Sequence, residues 1–312
     1  MVMRILILGA GGIGGYFGAQ LQSVGGDVTF LVRPERANNL RASGLYVSSM
    51  LGDIHVRPRV ITAIENPGDT FDLIILACKA YDFDSALESI SPAIGGNSVL
   101  LPLLNGVAHL DALDALFGRE RVLGGVAHLA VTLSPSGEIK HLNGINRLLI
   151  GSRCTPCSTQ VSTLAKLLFF TSVDFVISSH IEQDMWDKFI FLCTLAGATC
   201  TLRATIGDIL RTVSGESFVT GLLEECIQVA TVHQRIPNPE QLLVYRNQLS
   251  EQGSDSTASM LRDIERGGPI EAEHTIGDMV RRADASGINV PLLKLSYSHL
   301  QAYEMTRQRH AH

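Results

Sequence analysis

Short apolar runs rich in β-branched residues alternate with longer amphipathic stretches through the first half of the chain, and the strand-like runs then give way entirely to helical spacing. Arg4 to Leu8 is apolar, too short for a stable helix and followed at once by glycines, which predicts a strand. A helical pattern from about Gly12 to Val24 and a second strand over Asp27 to Val32 complete a β-α-β unit. Further strands are predicted at Leu73 to Cys78, Val99 to Leu103 and Val122 to Ala127, with helices near Asp82 to Ile90 and Val107 to Phe117. Strands separated by helices need crossover connections, so a mostly parallel, doubly wound sheet is expected.

Between Ala127 and Gly151, Ser134-Pro135-Ser136-Gly137 and Asn143-Gly144 punctuate short alternating runs as hairpin turns would, predicting antiparallel strands that finish the sheet. A helix from about Ser158 to Phe170 and a strand over Ser172 to Ile177 follow. Beyond His180 only helices are predicted: Ile181 to Ala198, Glu216 to Gln234, Pro239 to Ser250, Pro269 to Ala285 and Leu292 to Thr306. The expected architecture is an α/β, Rossmann-type doubly wound domain over residues 1–178, followed by an all-α C-terminal domain over 179–312.

Composition narrows the partners. The 312 residues carry 25 Lys and Arg against 31 Asp and Glu, with no basic tract to follow a phosphate backbone, so nucleic acid is not an expected partner. Apolar stretches such as Phe189 to Ala198 fall well short of the roughly 20 residues that span a bilayer, and the N-terminus lacks a leader pattern, so neither membrane insertion nor secretion is expected. Six scattered cysteines lack the density of a disulfide scaffold and fit a reducing cytoplasm. Cys154-Thr155-Pro156-Cys157 has redox-motif spacing but lies in a loop without a second pair, and His310 and His312 alone make a weak ligand set; no metal site is expected.

Gly9-Ala10-Gly11-Gly12-Ile13-Gly14 matches G-x-G-x-x-G directly after a strand and opening a helix, the context in which the motif binds a dinucleotide. Gly9 serves the tight turn, Gly11 the approach of a pyrophosphate and Gly14 the helix-to-strand packing. At the end of the second strand an acid would read a free ribose 2′-hydroxyl, and Arg33 stands there instead. A guanidinium suits a 2′-phosphate, so NADPH is preferred, although Arg33 and Arg36 also read as surface arginines and Glu35 is near enough to read a ribose hydroxyl. Lys79 and Asn105-Gly106 follow predicted parallel strands at their carboxyl ends, where ligand crevices form, and equally suit a solvated lysine and a plain turn.

In the helical half, Lys188 falls in line with Ile181, Met185, Leu192, Leu195 and Thr199 on one helix face. A lysine held on an apolar stripe pays desolvation, which lowers its pKa toward a range useful for proton transfer; the competing reading is an i, i+4 ion pair with Asp184. Ser259 with Asp263, and Glu271 just inside the helix begun by Pro269, are further candidates that also fit ordinary helix-end roles.

Together these residues resemble the ketopantoate reductase (2-dehydropantoate 2-reductase) family over nearly the whole chain, through Gly9 to Gly14, Arg33, Ala77-Cys78-Lys79-Ala80, Asn105-Gly106, Trp186-Asp187-Lys188, Ser259-Met260-Leu261-Arg262-Asp263 and Glu271. The resemblance implies NADPH-dependent reduction of a small 2-oxo acid, 2-dehydropantoate to pantoate, in pantothenate biosynthesis. It implies that Lys188 is the general acid, that Glu271 binds substrate hydroxyl and positions Lys188, that Ser259 holds the substrate carboxylate, and that Asn105 and Lys79 line the cofactor side. Members occur as monomers and dimers, and the helical half offers apolar faces on which a homodimer would pair. One departure stands out: the family commonly carries asparagines four and eight residues beyond the lysine, where this chain has Leu192 and Ala196. Thr194, Thr199 and Thr201 are candidates to compensate, and a more apolar 2-oxo acid is the alternative substrate. A short-chain reductase is disfavoured, since no tyrosine has a lysine four residues on, while a non-catalytic NADPH sensor remains open.

Overall fold

A computed structural model of the chain describes residues 2–66, 68–154 and 158–310. Cys157 and His312 lie outside the described residues, and with them the C-x-x-C motif and the terminal histidine pair. Two compact units are formed: Met1–Leu104 with His109–Glu182, and Asn105–Ala108 with Gln183–His312.

In the first unit, β1 (Arg4–Leu8), α1 (Gly12–Ser23) and β2 (Asp27–Leu31) form the expected β-α-β unit. Then come α2 (Pro34–Ser43), β3 (Leu45–Ser48), β4 (Ile54–Val56), β5 (Arg59–Ile61), β6 (Phe71–Leu76), α3 (Phe83–Ile90), β7 (Ile94–Pro102) and α4 (Ala108–Phe117). Strands in the order β5-β2-β1-β6-β7 make a sheet parallel throughout. Its central strands read as near-continuous apolar runs and are buried along almost their whole length, as strands covered on both faces are. The order reverses between β1 and β6, so the carboxyl end of β1, where the glycines lie, is a topological switch point.

The remaining strands correct the expectation of a single sheet. β8 (Leu123–Leu133), β9 (Ile139–Ser152) and β10 (Asp174–Ile177), with α5 (Thr159–Leu168) before β10, join β3 and β4 in a second sheet, linked to the first by one parallel bridge, Leu100 to Val122. Ser134 to Gly137 makes the β8–β9 turn, closed by Ser134 N–H to Glu138 O at 2.8 Å. Asn143-Gly144 makes no hairpin: Ile145 N–H donates to Asn143 Oδ1, but β9 runs on and the ladder steps from Leu129–Asn146 to Val131–His141, so the intervening residues bulge out of the pairing. α1 packs against strands of both sheets. Tyr16, Phe17, Ala19 and Leu21 are buried there with Ile5, Ile7 and Phe30 from one sheet and Leu45, Val47, Ile139 and Leu148 from the other.

The second unit is helical: α6 (Ile181–Leu202), α7 (Ile206–Leu210), α8 (Gly215–Val232), α9 (Pro239–Leu249), α10 (Ser259–Glu265), α11 (Asp278–Ala285) and α12 (Pro291–His310). α6 ends where Arg203 turns left-handed (φ 51°) and Ala204 N–H reaches back to Thr199 O. α9 begins on Asn238, whose Oδ1 accepts from the N–H groups of Glu240 and Gln241, with Pro239 at the first helical position. The expected helix from Pro269 to Ala285 is instead a turn, a π-helical turn over Glu273–Gly277, and α11. Gly277 permits this packing, because a Cβ there would lie 2.8 Å from the Tyr297 ring.

Candidate active site

The glycine loop is shaped by backbone constraints. Gly9 has φ +94°, a left-handed conformation that favours glycine, and its N–H donates to Leu31 O at 3.0 Å. Gly14 lies so close to the β1–α1 turn that a Cβ would fall 2.1 Å from Gly9 O and 2.9 Å from the Ala77 side chain. Gly11, by contrast, has open space where its side chain would be, and no side chain caps α1 there. An uncapped N-terminus presents unpaired N–H groups and the positive end of the helix dipole, which fits the pyrophosphate of a dinucleotide. Lys79 follows β6, across the switch point in strand order, and caps the short 3₁₀ turn Ala80–Asp82.

Arg33 is the N-cap residue of α2, with an exposed side chain (75%) whose guanidinium meets Asp82 at 2.6 Å. The alternative of a surface arginine does not hold for Arg36. It is half-buried, with Nε donating to Ala10 O and Nη1 to Gly137 O, both at 3.0 Å. Burial lowers its guanidinium from the ordinary arginine range. Its place in the first turn after Arg33 was the one available signal.

In the helical unit, Asn105 and Gly106 are held by contact with the π-helical turn: Gly106 has φ +83°, and a Cβ there would lie 2.7 Å from His274 O. Lys188, partly buried on α6, donates from Nζ to Asn105 Oδ1 at 3.4 Å. Burial lowers the Lys188 ammonium to about 8, and the buried carboxylate of Glu271 opposes that shift by favouring the charged form. Glu271 lies in the turn before the π segment rather than inside a helix, and its carbonyl accepts from His274 N–H and the Thr275 hydroxyl. Lys188, Asn105 and Glu271 therefore come together in this unit. An ammonium with a mid-range pKa, oriented by an amide and a carboxylate, is equipped to donate a proton.

The neighbours of Lys188 have structural roles. Asp187 is buried and accepts from Gln183 Nε2 at 2.7 Å and Asn238 N–H at 3.4 Å, while burial raises its carboxyl above the usual range. Trp186 stacks on His233 and lies under the Arg282 guanidinium, which fixes the rotation of α6. From Cys193 to Cys200 every residue of α6 is buried, so beyond Lys188 the apolar stripe runs into a segment that is internal all round.

The family model described as ketopantoate reductase PanE/ApbA matches residues 5–153, and the model of that family's C-terminal part matches 180–304. An uncharacterized oxidoreductase of Bacillus subtilis (strain 168), YkpB, is 34% identical over 305 residues, spanning 97% of this chain and 99% of its own. The chain belongs to the ketopantoate reductase family. Among solved structures, a PanE/ApbA family ketopantoate reductase from Ralstonia eutropha JMP134 matches with TM-score 0.87 and 25% identity, over 98% of this chain and all of its own (100%). D-mandelate dehydrogenase, solved with NADH and anilino(oxo)acetate, shares the fold equally well, with TM-score 0.87 and 22% identity over 98% of this chain and 100% of its own.

Family membership makes this chain an oxidoreductase that uses a nicotinamide cofactor. Within a ketopantoate reductase framework the changed positions are now located: Leu192 is partly buried and Ala196 buried on α6. Two of the threonines considered as substitutes are committed elsewhere, Thr194 donating to Ile190 O and Thr199 to Leu195 O while also accepting from Ala258 N–H. Thr201 Oγ1 is buried without a partner. Ser259 is exposed at the first turn of α10.

Proposed function

We propose that this protein reduces a small 2-oxo acid to the 2-hydroxy acid with NADPH, and that 2-dehydropantoate is the substrate. The supporting observation is the state of Lys188, an amine brought to about 8 by burial beside Asn105 and Glu271. When bound, the nicotinamide supplies a hydride to the substrate's carbonyl carbon. Lys188 supplies the proton at the carbonyl oxygen as negative charge develops there, and is recharged from solvent. Glu271 holds Lys188 in its ammonium form and accepts from a substrate hydroxyl. Asn105 orients the amine, and Ser259, exposed at the start of α10, receives the substrate carboxylate. Gly9 to Gly14 take the pyrophosphate on the α1 N-terminus, with Arg33 and Lys79 on the cofactor side.

A second substrate reading rests on Leu192 and Ala196. Apolar groups at these places offer no hydrogen bond to a hydroxylated chain, and an unmet buried hydroxyl costs about 1–3 kcal/mol, so they favour a more apolar 2-oxo acid. The likeness to D-mandelate dehydrogenase, whose name denotes an aromatic 2-hydroxy acid, points the same way.

Purified protein assayed for NADPH oxidation with 2-dehydropantoate, pyruvate and aromatic 2-oxo acids tests both readings. Turnover of 2-dehydropantoate with the highest kcat/KM supports the first reading, and an aromatic or aliphatic substrate ahead by tenfold or so the second. Tight NADPH binding with no turnover across the panel would overturn both and leave a nucleotide sensor.

A further inference from the structure

Arg36 belongs to neither the glycine motif nor the set of residues through which the chain resembles its family. It lies in the first turn of α2, a ten-residue helix that no side chain caps. Its Nε and Nη1 hold the Ala10 and Gly137 carbonyls, tying the glycine loop to the β8–β9 turn. Its Nη2 is buried and without a partner. Among the described residues no carboxylate pairs with this guanidinium, whereas Arg33 is engaged by Asp82. In the planar guanidinium Nη2 shares one edge with Nε, bound to Ala10, and another with Nη1, bound to Gly137, so the unmet donor lies between the glycine loop and the β8–β9 turn. A buried charged donor without an acceptor is costly, and natural proteins keep such groups where a ligand or water completes them.

We propose that Arg36 is a cofactor-selecting residue, whose guanidinium sets the glycine loop and offers its spare N–H groups and uncancelled charge to the ribose 2′-phosphate of the nucleotide. A doubly charged phosphate takes up both the donor and the charge; a ribose hydroxyl takes up neither fully. The uncapped first turn of α2 adds the positive end of a helix dipole to the same neighbourhood. Arg36 thereby does what Arg33, shared with Asp82, does only in part. This inference rests on the reading that NADPH is the preferred cofactor.

The test is calorimetric titration of the wild type, Arg36→Gln, Arg36→Lys and Arg33→Gln with NADPH, NADH and adenosine 2′,5′-bisphosphate, each variant first checked for an unchanged melting temperature. Arg36→Gln is expected to weaken NADPH and the bisphosphate by about thirtyfold and NADH by less than about threefold. Arg36→Lys, which keeps the charge and loses the fork, falls between. Should Arg36→Gln fail to fold, the same NADPH to NADH ratio in Arg36→Lys decides. Equal weakening of both dinucleotides would reduce Arg36 to a loop clip, and no weakening would remove it from the site; either overturns the proposal. Wild-type protein that binds NADH as tightly as NADPH would instead refute the cofactor reading beneath it.

Discussion

The two functional regions of this molecule are built from different materials. At the start of α1 the chemistry is almost all backbone: left-handed Gly9, Gly14 pressed against the preceding turn, and an uncapped helix end. At Lys188 it is all side chain, one amine whose acidity is set by burial and by Glu271, with an amide from a segment more than eighty residues earlier. A backbone site tolerates any change that leaves its path free and fails on a single added methyl. A side-chain site tolerates changes in path and fails on a single lost charge.

The largest effect that would break this contrast is at Lys188. Lys188→Ala is expected to lower kcat by about 10³-fold while the NADPH Kd stays within about threefold, read by steady-state kinetics and titration. Parallel loss of NADPH binding would mean that the lysine supports the fold instead. Gly14→Ala, which forces a Cβ toward Gly9 O, should cost about 3 kcal/mol in chemical denaturation and weaken NADPH binding together with stability. Normal stability in that variant would show the loop to be less constrained than its geometry states. Glu271→Gln should lower kcat by about tenfold to a hundredfold without touching cofactor affinity. The smallest expected change is Leu192→Asn, which should improve kcat/KM for 2-dehydropantoate by a few-fold, about 1 kcal/mol, and worsen it for an aromatic 2-oxo acid. The opposite order would remove Leu192 from substrate choice.

What could be read from the chain follows the same division. The strand, glycine loop and helix at the N-terminus were legible because the constraint is local: the residues that make the turn are consecutive. α6, α8, α9 and α12 were legible from their spacing, with ends within a few residues, whereas the expected helix from Pro269 to Ala285 is helical in the α sense only over its last eight residues. Strands β3, β4 and β5 went unread because runs of three or four residues cannot establish alternation, and β3 owes its place to two residue pairs with β9. The second sheet was mistaken for an extension of the first because strand partnership is a long-range property. Asn143-Gly144 carries turn chemistry, yet β9 absorbs it as a bulge between pairings on both sides. Lys188 was legible as a lysine among apolar neighbours, while the Asn105 contact required the fold. For Arg36 the surface alternative fails for a reason no local pattern signals: a charged residue in a first turn ordinarily faces solvent, and only its bond to Gly137 O in the β8–β9 turn changes that.

The pH dependence of kcat/KM, compared between wild type and Glu271→Gln, bears most directly on Lys188 as proton donor. The donor is the ammonium form, so activity should hold on the acid side and decline tenfold per pH unit above a limb near 8. Removing the carboxylate that favours the charged amine must move that limb to lower pH. A limb that stays put in Glu271→Gln, or a wild-type profile flat through this range, would contradict the assignment.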